Sequence, residues 1–262
     1  MRSFRLIVAY DGSQLEGWQR QPGRRTVQGE LEAAWHRVTG EGLTITGSGR
    51  TDSGVHALAQ LVSLSSATPL TPYRLRGALN AHLPEDIRVR EVAYAKSGFH
   101  ALRDTFGKRY RYLIQDGQPY DPTARRNVWH VKQVLNVEAM QRAAQVLLGT
   151  HEFDSFETGG SSRLTTQRTI TDILVIRQPT DFDSRVVVEV AADGFLYNMV
   201  RNIVGTLVLV GRGKQPESWV GELLVAKDRR LAGEAAPAHG LYLVEVYYQA
   251  EESCELPMSS RA

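Results

Sequence analysis

Cysteine is nearly absent. The single Cys254 among 262 residues leaves no internal disulfide to staple the fold, and a chain this long can bury a sizeable core without one. Cys254 lies in the acidic stretch Glu251-Glu252-Ser253-Cys254-Glu255, where a mobile tail and no catalytic role are expected. Long apolar runs are missing too. The most apolar segment, Met199 to Val210, carries Arg201 and Asn202 and falls short of a membrane span. Arg2 and Arg5 precede only a strand-length apolar run, so no secretory signal is read and a soluble, cytoplasmic protein is expected. His56, His100, His151 and His239 stand at no metal-ligand spacing, with each other or with the cysteine, and no metal is expected.

What is present describes an ordinary folded chain. At 42% hydrophobic and 23% charged residues, disorder is excluded. The net charge of +2 says little about a partner, but its distribution says more. Between Arg88 and Arg126 nine basic residues face four acids, a local excess of +5. Such a stripe suits a polyanion such as nucleic acid. Strand edges that use cations against aggregation give the same pattern.

The periodicity predicts two α+β halves, 1–104 and 105–262, the second ending in the short acidic tail. In the first, strands are expected at Phe4 to Tyr10, 43–46, 57–64 and Ile87 to Ala95. Thr26 caps one helix, and Thr71-Pro72 starts another that ends near Pro84. This β-α-β-β-α-β order is the split-βαβ, or ferredoxin-like, plan. The second half repeats it, with strands at Arg109 to Gln115, Thr169 to Arg177, Arg185 to Val190 and Leu241 to Tyr248. Its helices are expected after Asn136, over Tyr197 to Val210 and over Pro216 to Val225. The fold class is therefore α+β, with both halves sharing a mostly antiparallel sheet, helices on one side and an active-site cleft between them.

The most informative stretch is Gly47-Ser48-Gly49-Arg50-Thr51-Asp52-Ser53-Gly54-Val55-His56. Its glycines permit a tight backbone between two strands, and one cation and one anion stand within it. A phosphate-binding P-loop would need Gly-Lys-Ser/Thr, and a dinucleotide loop a glycine where Asp52 stands, so both are excluded. Arg50 and Asp52 share a face of an extended segment. Arg50 can therefore pair with Asp52 or reach into an RNA duplex. Tyr110 and Tyr112 share one face of their strand and Arg109 and Arg111 the other. Alternating aromatic and arginine residues hold bases and phosphates, but tyrosines so placed also fill cores. Arg201 sits in a helix apolar nearly all round and needs an anionic partner if buried, with Gly205 one turn on clearing space beside it. Phe153, Phe156 and the run Gly159 to Arg163 suggest a flexible loop without identifiable chemistry.

Gly49-Arg50-Thr51-Asp52-Ser53-Gly54-Val55-His56-Ala57, with Gln60, resembles the signature of the tRNA pseudouridine synthase A (TruA) family. The likeness covers almost the whole chain: Tyr10-Asp11-Gly12, Gly17-Trp18-Gln19, Thr26-Val27-Gln28, Lys108 to Tyr112, Arg168-Thr169-Ile170, Phe195 to Gly205, Ala236-Pro237-Ala238 and Gly240 to Leu243. Leu15 stands where an aromatic is usual and Ser53 where alanine is usual. The resemblance implies the pseudouridine synthase fold and isomerisation of uridine to pseudouridine at positions 38, 39 and 40 of the tRNA anticodon stem-loop. It implies Asp52 as the catalytic aspartate, Tyr110 stacked on the target base, Arg201 paired with Asp52 and Leu241 lining the uracil pocket. Arg50 would fill the space left by the flipped nucleotide. No cofactor or metal, and a homodimer around the tRNA, are implied as well. A non-catalytic RNA-binding protein on the same halves is the alternative. A nucleoside hydrolase is a second, though a glycosidase usually needs two acids and none neighbours Asp52.

Overall fold

A computed structural model of the chain describes residues 1–118, 120–159, 165–180 and 184–249. The acidic tail with Cys254, and most of the expected loop at 159–163, lie outside the described residues. The N-terminal half runs β1 (Arg2–Tyr10), α1 (Val27–Thr39), β2 (Thr46–Gly47), β3 (His56–Ser66), α2 (Pro72–His82) and β4 (Ile87–Ala95). The remainder runs β5 (Thr105–Asp116), β6 (Trp129–Val131), α3 (Val137–Ala144), β7 (Gly149–Glu152), β8 (Gln167–Pro179), β9 (Ser184–Ala192), α4 (Met199–Gly211), α5 (Trp219–Ala226) and β10 (Leu241–Tyr248). Among the described residues no helix is long and apolar enough to cross a membrane.

Among the described residues all strands join one ten-stranded sheet, ordered β4-β1-β3-β10-β5-β9-β8-β7, with β2 on β3 and β6 on β5. The N-terminal half contributes β4-β1-β3 and the remainder β10-β5-β9-β8-β7, so in each half the last strand lies beside the first, as in the split-βαβ arrangement. The halves join where β10 pairs in parallel with β3, Tyr242 opposite His56 and Leu243 opposite Ala57. Every other pairing along the main path is antiparallel. Register carries one apolar face across this junction: Ile173 lies opposite Val190, Val190 opposite Tyr110, Tyr110 opposite Leu243, and Leu243 opposite Ala57. Directly opposed residues share a face, and all five of these are buried. The helices pack on that side; Trp35 of α1, fully buried, meets Phe4 of β1 edge-on at 6.1 Å.

The expected caps are in place. Thr26, Thr71 and Asn136 accept from the backbone N–H of Gly29, Arg74 and Ala139. Two boundaries differ, each for a local reason. The strand expected at 43–46 shrinks to Thr46–Gly47. The backbone of Ile45 is satisfied by side chains of α1: its N–H donates to Glu32 Oε1 at 3.1 Å, and its carbonyl accepts from Gln28 Nε2 at 3.0 Å. The helix expected from Tyr197 begins at Met199, because Asn198 adopts the left-handed conformation at φ 59°, which a right-handed helix cannot contain. The short strands β6 and β7 were not expected; at three and four residues they carry too little periodicity to read.

Candidate active site

The loop between β2 and β3 is held by the segment that follows β1. Gly17 takes φ 82°, and a Cβ there would stand 2.6 Å from the Thr51 carbonyl oxygen. That contact lets the Trp18 N–H donate to the same carbonyl at 3.0 Å. Tyr10 Oη and Thr51 Oγ1 are hydrogen-bonded at 2.8 Å, and burial pushes the Tyr10 phenol up to about 12 despite the bonds from Thr51 and Gln60. Gln60 is fully buried; its Oε1 accepts from Ser48 Oγ at 2.7 Å and its Nε2 donates to the Gly49 carbonyl at 2.9 Å. The two departures from the family pattern touch each other. Ser53 Oγ donates to the Leu15 carbonyl at 3.2 Å. Asp52 is thus carried on a loop whose backbone is fixed on both sides of it.

Asp52 faces α4 of the other half. Its Oδ2 lies 3.8 Å from Arg201 Nη1, so the anion that Arg201 needed is Asp52. Arg50 does not take that place; it is exposed at the loop surface. Arg201 has two further partners. Its Nε donates to the Ala236 carbonyl at 2.7 Å, and its Nη1 to Asn198 Oδ1 at 2.8 Å. Gly205 clears space for a different group than expected. A Cβ at Gly205 would stand 1.8 Å from the Glu234 carbonyl oxygen, so the glycine admits the 234–236 backbone that receives the guanidinium.

Burial raises the Asp52 carboxyl above the usual carboxylate range, and the Arg201 charge offsets only part of that rise. A dry carboxylate beside one cation is a stronger nucleophile than a solvated one, provided it is ionised. Burial likewise raises the Tyr112 phenol, against the Arg201 charge. Tyr112 is a core residue: fully buried, it donates from Oη to the Pro237 carbonyl at 2.6 Å. Tyr110 is buried beside it, its ring edge-on to Phe195 at 5.0 Å. Leu241, also buried, lies opposite Tyr112 at the start of β10. On the outer face of β5, Arg109 pairs with Asp172 and Glu189, and Arg111 with Glu189, so part of the basic stripe is neutralised within the protein.

Two residues of this site escape sequence reasoning. Asn198 bridges Arg201 to Thr158, its Nδ2 donating to Thr158 Oγ1 at 3.3 Å; its position just before the apolar helix was the available signal. His56 is buried and stacks on Tyr242 at 4.6 Å. Its Nδ1 accepts from the Gly12 N–H at 3.1 Å, and its Nε2 lies 3.0 and 3.2 Å from the carbonyls of His239 and Arg126. The loop thereby ends in an imidazole bonded to both halves.

Comparison with known proteins identifies the family. A family model described as tRNA pseudouridine synthase matches residues 6–101 and 143–249. A protein of Acetivibrio thermocellus named tRNA pseudouridine synthase A is 46% identical over 248 residues, covering 95% of this chain and 100% of the relative. Proteins of the same name from Shouchella clausii and Klebsiella pneumoniae are each 44% identical; they cover 92% and 94% of this chain, and 91% and 89% of the relatives.

Proposed function

The chain belongs to the tRNA pseudouridine synthase family, isomerases that act on uridine in tRNA, and we propose that it does so through Asp52 on a flipped-out base at positions 38, 39 and 40 of the anticodon stem-loop. The observation that carries this reading is a half-buried carboxylate facing one arginine at 3.8 Å in the cleft between the halves. The reaction detaches uracil N1 from C1′ and joins C5 to C1′, while C5 loses its proton and N1 gains one. Substrate and product have the same mass. Asp52 attacks the sugar at C1′ or the base at C6, and both routes release the C5 proton. No redox step or cofactor is needed.

Ionised Asp52 is stabilised by Arg201, whose charge offsets part of the cost of its partial burial. Tyr110 stacks on the target base, and Leu241 lines the apolar floor that receives the uracil ring. Removing a base from its stack costs a few kcal/mol. Arg50, exposed on the same loop, offsets part of that cost by occupying the vacated place. A homodimer cradling one tRNA completes the reading, and sedimentation with and without tRNA tests it.

The direct test uses unmodified tRNA with tritium at uracil C5. The wild type releases tritium to water, and Asp52→Asn binds the tRNA but releases none. Binding without release by the wild type would instead favour a non-catalytic RNA-binding protein.

A further inference from the structure

Beside the catalytic loop lies an open cavity of about 380 Å³ whose lining includes none of Asp52, Tyr110, Arg201 and Leu241. This is at the low end of the roughly 300–1,000 Å³ common for ligand pockets. Gly54, two residues beyond Asp52, forms one wall; Ala238 and His239, just before Leu241, form another. Arg125 and Arg126 line the rest, with Ser13 and Gln14.

The charges around it favour an anion. Arg125 and Arg126 are exposed, and among the described residues neither forms an ion pair. Arg125 donates only to the nearby Pro122 carbonyl. The acids in the neighbourhood already have other hydrogen-bond partners, although Arg126 adds to the field that lowers the Asp11 carboxyl. Asp11 accepts from the Ser13 N–H and Oγ at 2.9 and 2.6 Å and lies 3.1 Å from His56 Nδ1. Asp121 accepts from Thr123 N–H and Oγ1 at 2.8 and 2.6 Å. The rim of the cleft thus carries two exposed arginines against one nearby carboxylate, Asp11, whose charge Arg126 helps to stabilise.

The cavity is also fixed relative to Asp52. His56, the last residue of the catalytic stretch, contacts the carbonyls of Arg126 and His239, one from each wall. Ser13 Oγ approaches the Arg126 carbonyl at 3.5 Å. A group seated between the arginines therefore holds its register with the catalytic loop.

We propose that this cavity is a phosphate subsite in which Arg125 and Arg126 hold a phosphodiester flanking the flipped uridine. The proposal rests on the placement of that uridine before Asp52. Arginine suits the task because its planar fork matches phosphate oxygens. Contacts of this kind fix register without reading sequence, so the two arginines act as positioning residues.

The test is tRNA binding in the Asp52→Asn background, which separates affinity from turnover. Arg125→Ala with Arg126→Ala raises Kd about tenfold near 150 mM salt. It also flattens the slope of log K against log salt by about 1. Arg125→Lys with Arg126→Lys restores the slope, since charge returns without the fork. A neutral methylphosphonate at one of the two phosphates flanking the target uridine weakens binding to the parent protein and has no further effect on the alanine pair. Unchanged Kd and slope would overturn the proposal. A weaker Kd at unchanged slope would also overturn it, because the arginines would then act by packing. Fully additive effects of the methylphosphonate and the alanines would place the phosphate elsewhere. Thermal melts verify that the exposed substitutions leave the fold intact. Tritium release by the wild type reports separately on the catalytic reading, so either can fail alone.

Discussion

Asp52 and Arg201 meet at 3.8 Å across the junction of the two halves, and the carboxyl nevertheless lies above its ordinary range because burial outweighs the single cation. Isomerisation therefore fails in acid with a midpoint above the usual aspartate value of about 3.9. In Arg201→Ala the lowering charge is gone and that midpoint moves up further; Arg201→Lys moves it less. Rates of tritium release between pH 4 and 8 measure both shifts.

The same shift has a sign for stability. A carboxyl raised on folding favours the folded state when protonated, an advantage complete below the unfolded value and lost as pH rises through the folded one. At pH 7, ionised Asp52 therefore opposes folding. Asp52→Asn is expected to melt higher than the wild type at pH 7, with the gap closing toward pH 4. Arg201 keeps its bonds to Ala236 and Asn198 in that variant, so it is not stranded. Melting temperature against pH for both proteins is the check.

Asn198 orients Arg201 from a left-handed backbone that few residues other than glycine and asparagine adopt. Asn198→Gly keeps the backbone and removes the amide, lowering turnover about tenfold with little change in melting temperature. Asn198→Asp gives Arg201 a competing carboxylate, so the acid limb moves to higher pH as well. The pH–rate profile separates the two variants; a merely structural role for Asn198 would leave it unmoved.

Gly205→Ala forces a methyl group against the Glu234 carbonyl. Overpacking of this kind costs about 1–3 kcal/mol, read as a lower urea midpoint. It also displaces the 234–236 backbone that binds Arg201, so turnover falls together with stability. Normal turnover in a destabilised Gly205→Ala protein would show that this backbone does not position Arg201.

By itself the sequence determined the elements and the residue types of the site. Alternation over Ile87 to Ala95, the caps Thr26, Thr71 and Asn136, and the repeated order of strands and helices are local signals, fixed by a few neighbouring residues. The lone arginine in an apolar helix likewise announced a buried anion. Which anion it meets could not be read from local pattern; the family resemblance implied Asp52, and the tertiary structure shows the pair. Side-chain period two put Arg50 beside Asp52, yet the parallel pairing of β3 with β10 brings α4 to the loop, and Arg201 takes that place. The same holds for Ile45, whose backbone bonds to α1 side chains instead of a neighbouring strand, and for His56, which reaches carbonyls on Arg126 and His239. The net rise of the Asp52 carboxyl was hidden for the same reason, since desolvation depends on everything packed around a group and not on its neighbours in the chain.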